Sequence, residues 1–276
     1  MIHEKINLKD YYPSLDNDAY LITYCPDNYS EWSSKEKRKG LLILPGCGYD
    51  FVSEREAEPG ALRFAGQNIA CFTLKYTVSP KVKYPYPMVE AFAALSYIRR
   101  NADKYHILVD KISVLGFSAG GHLAATISCY HKSKEYADFL NITLDEMKVN
   151  GCLLSYPVIT MDDFTHEGTR RNITQEREDL LKSMSIEKNV THEFPKTFIW
   201  HTTFDTCVPV KNSLVLATAL TENKVFYELH IYPMHEHGQS LSDSSVYSNV
   251  EQKFLDEIKH NTQWVDNAIH FIKEYI

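Results

Sequence analysis

The chain has 276 residues, 44% of them hydrophobic and 24% charged, with a formal net charge of -7. That length and balance suit one α/β domain with a large sheet, and nothing basic enough to grip phosphate backbones is present, which excludes a nucleic-acid partner. The six cysteines are dispersed without a Cys-x-x-Cys pair, so a zinc ribbon and a disulfide framework are excluded as well.

In chain order, residues 1–7 are polar and lack the apolar run of a secretory leader, and no segment has the apolar length of a membrane span. A cytoplasmic location with no membrane partner is the expectation. Tyr20-Leu21-Ile22-Thr23-Tyr24 reads as an edge strand, and the short basic cluster at 35–39 as a solvated loop. Leu41-Leu42-Ile43-Leu44 is a strand-length apolar run that leads into Pro45-Gly46-Cys47-Gly48-Tyr49. A second run spans residues 69–74. Then Met88, Ala91, Phe92, Leu95 and Ile98 fall at the spacing that buries one face of a helix.

Ile112-Ser113-Val114-Leu115 is followed by Gly116-Phe117-Ser118-Ala119-Gly120 and a helix-like stretch at 123–127. This is the pattern of a nucleophile elbow. A serine on a sharp strand-to-helix turn holds its hydroxyl clear of the backbone, and small flanking residues avoid collision there. The next apolar run is 151–155. Residues 157–194 break the alternation, dense in charge and with only short apolar pieces, and read as a partly helical polar cap over the site. A polar cap points to a hydrophilic substrate. Apolar runs resume at 197–200 and 225–232, and residues 250–276 read as one closing helix. Strand-length runs alternating with helical stretches predict an α/β fold, a mostly parallel central sheet flanked by helices, in one domain over 1–276.

A serine nucleophile needs a base, and the base needs an acid that holds its tautomer. Asp205 follows the 197–201 run, where open α/β sheets place their sites, and is the expected acid. His237, in Met234-His235-Glu236-His237-Gly238, follows the last strand-like run and is the expected base, with His235 as its competitor. His122 and His201 read as structural histidines. The His-x-His pair lacks further residues at metal spacing, so neither metal nor cofactor is expected. Oxyanion donors are expected from the Ala119 N–H and, in the glycine-rich loop after residue 44, from Gly46 and Cys47.

With these residues in place the chain resembles the α/β-hydrolase superfamily over nearly its whole length, and within it the acetyl-esterase or xylan-esterase-like branch, some of whose members are sugar hydrolases. The resemblance rests on residues 45–49, on Ser53-Glu54-Arg55-Glu56-Ala57-Glu58-Pro59, on Lys75-Tyr76-Thr77-Val78-Ser79-Pro80 and on residues 116–122. It implies the triad roles of Ser118, Asp205 and His237 and N–H donation from the loop at Gly46 and Cys47. Tyr49, closing that loop, is expected to contact substrate. Cys47 departs from relatives that carry glycine there. The expected activity is hydrolysis of a short acyl ester, acetyl above all, of a sugar or another small polar alcohol. The alternatives are a small serine peptidase and a non-catalytic binding protein on the same fold. The expected partner is a small-molecule ester, and a homo-oligomer is left open.

Overall fold

The computed structural model describes residues 1–31, 34–233 and 235–276. In chain order the elements are β1 (Lys5–Asn7), β2 (Tyr20–Tyr24), β3 (Arg38–Leu44), α1 (Glu54–Ala65), β4 (Ala70–Lys75), α2 (Tyr86–Arg100), β5 (Ile107–Phe117), α3 (Ala119–Tyr130) and α4 (Lys134–Leu140). There follow α5 (Leu144–Met147), β6 (Gly151–Ser155), α6 (Glu167–Thr174), α7 (Glu178–Met184), β7 (Lys196–Thr202), α8 (Lys211–Glu222), β8 (Tyr227–Tyr232), α9 (Gln252–Ile258) and α10 (Gln263–Tyr275).

Among the described residues the strands form one sheet in the order β1-β2-β4-β3-β5-β6-β7-β8. Pairing from β4 through β8 is parallel, and β1 and β2 are joined antiparallel at one side. This is the α/β-hydrolase arrangement. The parallel strands read as continuous apolar runs because both faces are covered. Side chains alternate across the sheet: Leu41, Ile43, Phe117 and Trp200 meet Phe64 of α1 and Trp264 of α10, with the Trp200 and Trp264 rings stacked at 5.1 Å. Leu42, Leu44, Val114 and Leu154 instead meet residues of α2, α3 and α8 such as Leu95, Leu123 and Leu216. Each such side chain contributes about 1.5–3 kcal/mol on burial, so this two-sided core fixes the register of the strand ends that build the site.

Two expectations change. The 20–24 strand lies one place in from the edge, because β1, three residues too short and polar to announce itself, pairs outside it. The closing helix is broken: α9 and α10 are separated by a 3-10 turn, Lys259–Thr262, where Asn261 is buried and its amide donates to Gln239 Oε1 at 2.7 Å. The thiols also divide, with Cys25, Cys71 and Cys152 in the core but Cys207 exposed. The 157–194 segment does carry helices, and it is better packed than its charge suggests. Ile173, Leu180, Met184 and Ile186 are buried against the main core. Among the described residues no helix is long and apolar enough to cross a membrane.

Candidate active site

The site lies at the carboxyl ends of β3, β5, β7 and β8, where the loops of a parallel sheet converge. Ser118 links β5 to α3 with φ 53° and ψ -119°, a backbone state that a non-glycine residue adopts at a cost of about 1–3 kcal/mol. The turn is over-determined by its neighbours. A Cβ at Gly116 would lie 2.2 Å from Gly120 O, and one at Gly120 would lie 2.0 Å from Leu44 O, so strand and helix cross only because both residues are glycine. The Ser118 N–H donates to Ser155 O at 2.9 Å, and Ser118 O accepts from the Val158 and His122 N–H groups, both at 3.1 Å.

Ser118, His237 and Asp205 form a continuous hydrogen-bonded chain. His237 Nδ1 lies 2.6 Å from Asp205 Oδ2, and its Nε2 lies 2.7 Å from Ser118 Oγ. A carboxylate only accepts, so Nδ1 carries the proton and the unprotonated Nε2 faces the serine hydroxyl. The Asp205 side chain is fully buried. Its Oδ1 accepts from the Cys207 and Val208 N–H groups at 3.0 and 2.8 Å, and its Oδ2 also meets His201 Nε2 at 3.2 Å. Burial pushes its pKa up, but donation from His201, His237 and the Val208 N–H outweighs burial and holds the carboxyl well below the usual carboxylate range. His235 does not reach the serine. Its ring packs edge-on against Phe254, and its Nε2 lies 3.8 Å from Glu257. Met234, in the same run, lies outside the described residues.

The histidines read as structural divide in a useful way. His122 is buried, with Nε2 donating to Met184 O at 2.8 Å and Nδ1 accepting from the Tyr49 hydroxyl at 3.0 Å. Burial pushes its pKa down to about 4, so it is neutral. His201 is buried too, but it touches the acid: its Nε2–H lies between Asp205 Oδ2 and Val208 O, and its Nδ1 accepts from the Ser213 hydroxyl at 2.8 Å. It braces Asp205 from behind.

Two expected site residues are corrected by these contacts. Tyr49 is 1% exposed and spends its hydroxyl on His122, so it braces the elbow helix from the core and does not face substrate. Gly46 does not supply a free oxyanion donor, because its N–H is taken by the buried Glu56 Oε2 at 2.7 Å. The loop still lies against the elbow: a Cβ at Gly46 would fall 2.8 Å from Ser118 Cβ. Cys47, Gly48 and Tyr49 then follow with φ of 96°, 64° and 62°, a run of left-handed residues that explains why glycine suits position 47. Among the described residues the Cys47 N–H meets no protein acceptor, and the Ala119 N–H opens the first turn of α3, where helical N–H groups have no intrahelical partner. Among the described residues, neither of these two N–H groups is claimed by another protein acceptor. Burial, with Glu56 nearby, pushes the Cys47 thiol up to about 11, so it is neutral.

The 157–194 segment meets this loop directly. Asn172 of α6 donates to Gly48 O at 2.9 Å and to Asp50 Oδ1 at 2.8 Å, and the His166 ring covers Gly48, its Cε1 3.2 Å from where a Cβ would stand. Thr169 N–H donates to His166 Nδ1 at 3.2 Å, and burial, with His237 nearby, lowers the His166 pKa. Glu56, Tyr156, His166 and His201 were not among the sequence candidates. The one available signal was for Glu56, inside the 53–59 block, where helix period alone does not separate it from the exposed Glu54 and Glu58.

Comparison with known proteins agrees with this fold. The BD-FAE family model matches residues 27–220. Among curated relatives, endo-1,4-beta-xylanase B of Butyrivibrio fibrisolvens is 32% identical over 222 residues, which are 77% of this chain and 34% of that protein. An acetylxylan esterase of Xylanibacter ruminicola is 26% identical over 241 residues, 84% of this chain and 45% of that protein. The chain thus spans between a third and a half of the length of the curated relatives it matches. Among solved structures, the acetyl ester-xyloside bifunctional hydrolase of Caldicellulosiruptor lactoaceticus is 30% identical with a TM-score of 0.77, covering 96% of both chains. A sugar hydrolase of Lactococcus lactis is 28% identical with a TM-score of 0.77, covering 99% of this chain and 97% of that one. With its matched segment spanning most of the sheet and both the elbow and the acid loop, the chain belongs to the BD-FAE family.

Proposed function

We propose that the chain is a serine esterase that removes a short acyl group, acetyl above all, from a sugar or another small polar alcohol. The observation that carries this reading is the unbroken chain from Asp205 through His237 to Ser118, with bonds of 2.6 and 2.7 Å. His237 Nε2 takes the Ser118 proton as Oγ attacks the ester carbonyl. Negative charge on the carbonyl oxygen is met by the Cys47 and Ala119 N–H groups, and Asp205 holds the imidazolium that has formed. His237 then gives its proton to the departing alcohol oxygen, which leaves an acyl-Ser118. Water, deprotonated by the same nitrogen, attacks that ester and releases the acid.

The sugar-related names of the relatives support a polar alcohol. The reading treats the chain as one α/β domain in which residues 157–194 form the cap. The test is kcat/KM across acetyl, propionyl, butyryl and octanoyl esters and acetylated xylose. Specificity should fall beyond about four acyl carbons, since a polar cap returns little of the roughly 0.8 kcal/mol available per buried methylene. Octanoyl esters as best substrates would sink the short-acyl reading, and amide cleavage faster than ester cleavage would favour a peptidase.

A further inference from the structure

The proposed chemistry needs two loops held at a fixed spacing across Ser118: the loop after β3, which offers the Cys47 N–H, and the loop after β8, which carries His237. One buried carboxylate reaches both. Glu56, in the first turn of α1, is 3% exposed. Its Oε2 accepts from the Gly46 N–H at 2.7 Å and its Oε1 from the Tyr156 hydroxyl at 2.8 Å. The Tyr156 oxygen in turn accepts from the Ser240 N–H at 2.8 Å, three residues beyond His237, and the Tyr156 ring stands edge-on to the His237 ring with centroids 4.9 Å apart. Arg55 doubles the link, accepting from Ser240 Oγ at 2.7 Å and donating to Gly238 O at 2.8 Å.

The same contacts aim the donor. Gly46 O accepts from the Ser53 N–H at 3.3 Å, and in a planar trans peptide the Cys47 N–H points the opposite way, out of the α1 side and into the site. With Gly46 tied to Glu56 at its own N–H, both peptides that flank Gly46 are fixed. A carboxylate buried without a cationic partner is costly, and an apolar residue of similar volume would serve the core at least as well. Burial does push the Glu56 pKa up, against the opposing hydrogen bonds from Gly46 and Tyr156.

We propose that Glu56 is a positioning residue that spans the two loops, holding the Cys47 N–H and the His237 ring in register across Ser118, so that its contribution appears in the transition state and not in substrate binding. The proposal rests on the serine-esterase reading. The test uses the full chain with Glu56→Gln, Tyr156→Phe and both together, measuring melting temperature, kcat and KM on p-nitrophenyl acetate, and affinity for methylboronic acid, which forms a tetrahedral adduct on a reactive serine. A glutamine side chain has one acceptor oxygen in place of two, so one loop loses its tie.

In the folded Glu56→Gln protein kcat should fall by about 10–100-fold with KM within about threefold, because a displaced donor costs somewhat less than a deleted one. Boronate affinity should weaken by the same factor as kcat/KM. The double variant should be little worse than the poorer single one, since both cut one bridge. A folded Glu56→Gln protein with unchanged kcat, or with unchanged boronate affinity, overturns the proposal. Should that variant not fold, Tyr156→Phe decides alone, and wild-type kcat there is contradictory. Wild-type protein that p-nitrophenyl acetate never acetylates at Ser118 overturns both readings, whereas acetylated wild type beside an indifferent Glu56→Gln overturns only the positioning role.

Discussion

Two histidines close to Ser118 in the fold sit in hydrogen-bonded chains of the same length, and only one of them is in a position to move a proton. His237 joins a carboxylate to a hydroxyl, at 2.6 and 2.7 Å, on a loop that leaves 17% of its side chain exposed. His122 joins the Tyr49 hydroxyl to the Met184 carbonyl, at 3.0 and 2.8 Å, fully inside the core. The carboxylate stabilises an imidazolium and the serine hydroxyl has a use for losing its proton. A carbonyl cannot give or take one, and burial keeps both the tyrosine hydroxyl and the imidazole of the second chain neutral. Partners and dielectric, more than nearness to the nucleophile, separate a base from a brace.

The largest expected effect breaks the first chain. Ser118→Ala and His237→Ala should each lower kcat by a factor on the order of 10⁴ to 10⁶ with melting temperature little changed, as losses of triad members do. His122→Gln should lower it by less than about tenfold, and steady-state kinetics on an acetyl ester would show the contrast. Equal losses at positions 122 and 237 would erase the distinction. Asp205→Asn should cost about 10⁴ in kcat, because an amide turned toward Nδ1 favours the wrong tautomer. His235→Ala, by contrast, should change kcat only a few-fold, given where its ring packs.

The second chain should appear in stability. The folded-state pKa of His122 is near 4, below its ordinary value of about 6.5, so as pH falls between those values the unfolded chain takes up a proton that the folded chain refuses. Its contribution is complete above about pH 6.5 and is lost toward pH 4, by up to about 3 kcal/mol. His131, also pushed down to about 4 by burial, adds a slope of the same sign. The Asp205 carboxyl, held low, contributes fully above about pH 5 and loses its share progressively as pH falls from there. Glu90, pushed up to about 7 by burial, acts with the opposite sign over the same window, so the readout is the difference between the proteins: from pH 7 to 4.5, urea unfolding should show the wild type losing more stability, or gaining less, than His122→Gln. Identical slopes in the two proteins would remove His122 from the account.

The smallest effect concerns Cys47. Replacing it with glycine keeps the backbone N–H, relieves a φ of 96°, and removes a neutral thiol from the loop that lies against Ser118. Melting temperature should rise slightly, and kcat/KM for butyryl relative to acetyl esters should increase a few-fold. A fall in acetyl turnover of about tenfold or more would show that the thiol has a role beyond space.

The parallel strands, the sharp turn at Ser118 and the hydrogen-bonded set of Ser118, His237 and Asp205 were legible in the sequence because each leaves a local mark: an apolar run, two glycines beside a serine, an acid or a histidine just past a strand. β1 was not, being three residues whose pairing partner alone makes them a strand. The break between α9 and α10 depends on where Asn261 finds Gln239, a tertiary contact invisible in the helical period. Tyr49 and Gly46 were placed at the substrate by their loop, yet the contacts that claim them, His122 and Glu56, lie 73 and 10 residues away along the chain. How firmly the 157–194 segment is packed was not legible from its charge, because its buried residues, such as Ile173 and Met184, are scattered among exposed ones.

The most direct test of the central claim is rapid quenching of the protein with p-nitrophenyl acetate, followed by peptide mass spectrometry. The account predicts a single acetyl group on Ser118, formed in wild type and in His122→Gln, and missing in Ser118→Ala and His237→Ala. Acetyl on any other side chain in the wild type, or turnover with no acetylated serine trapped at any time, would contradict it.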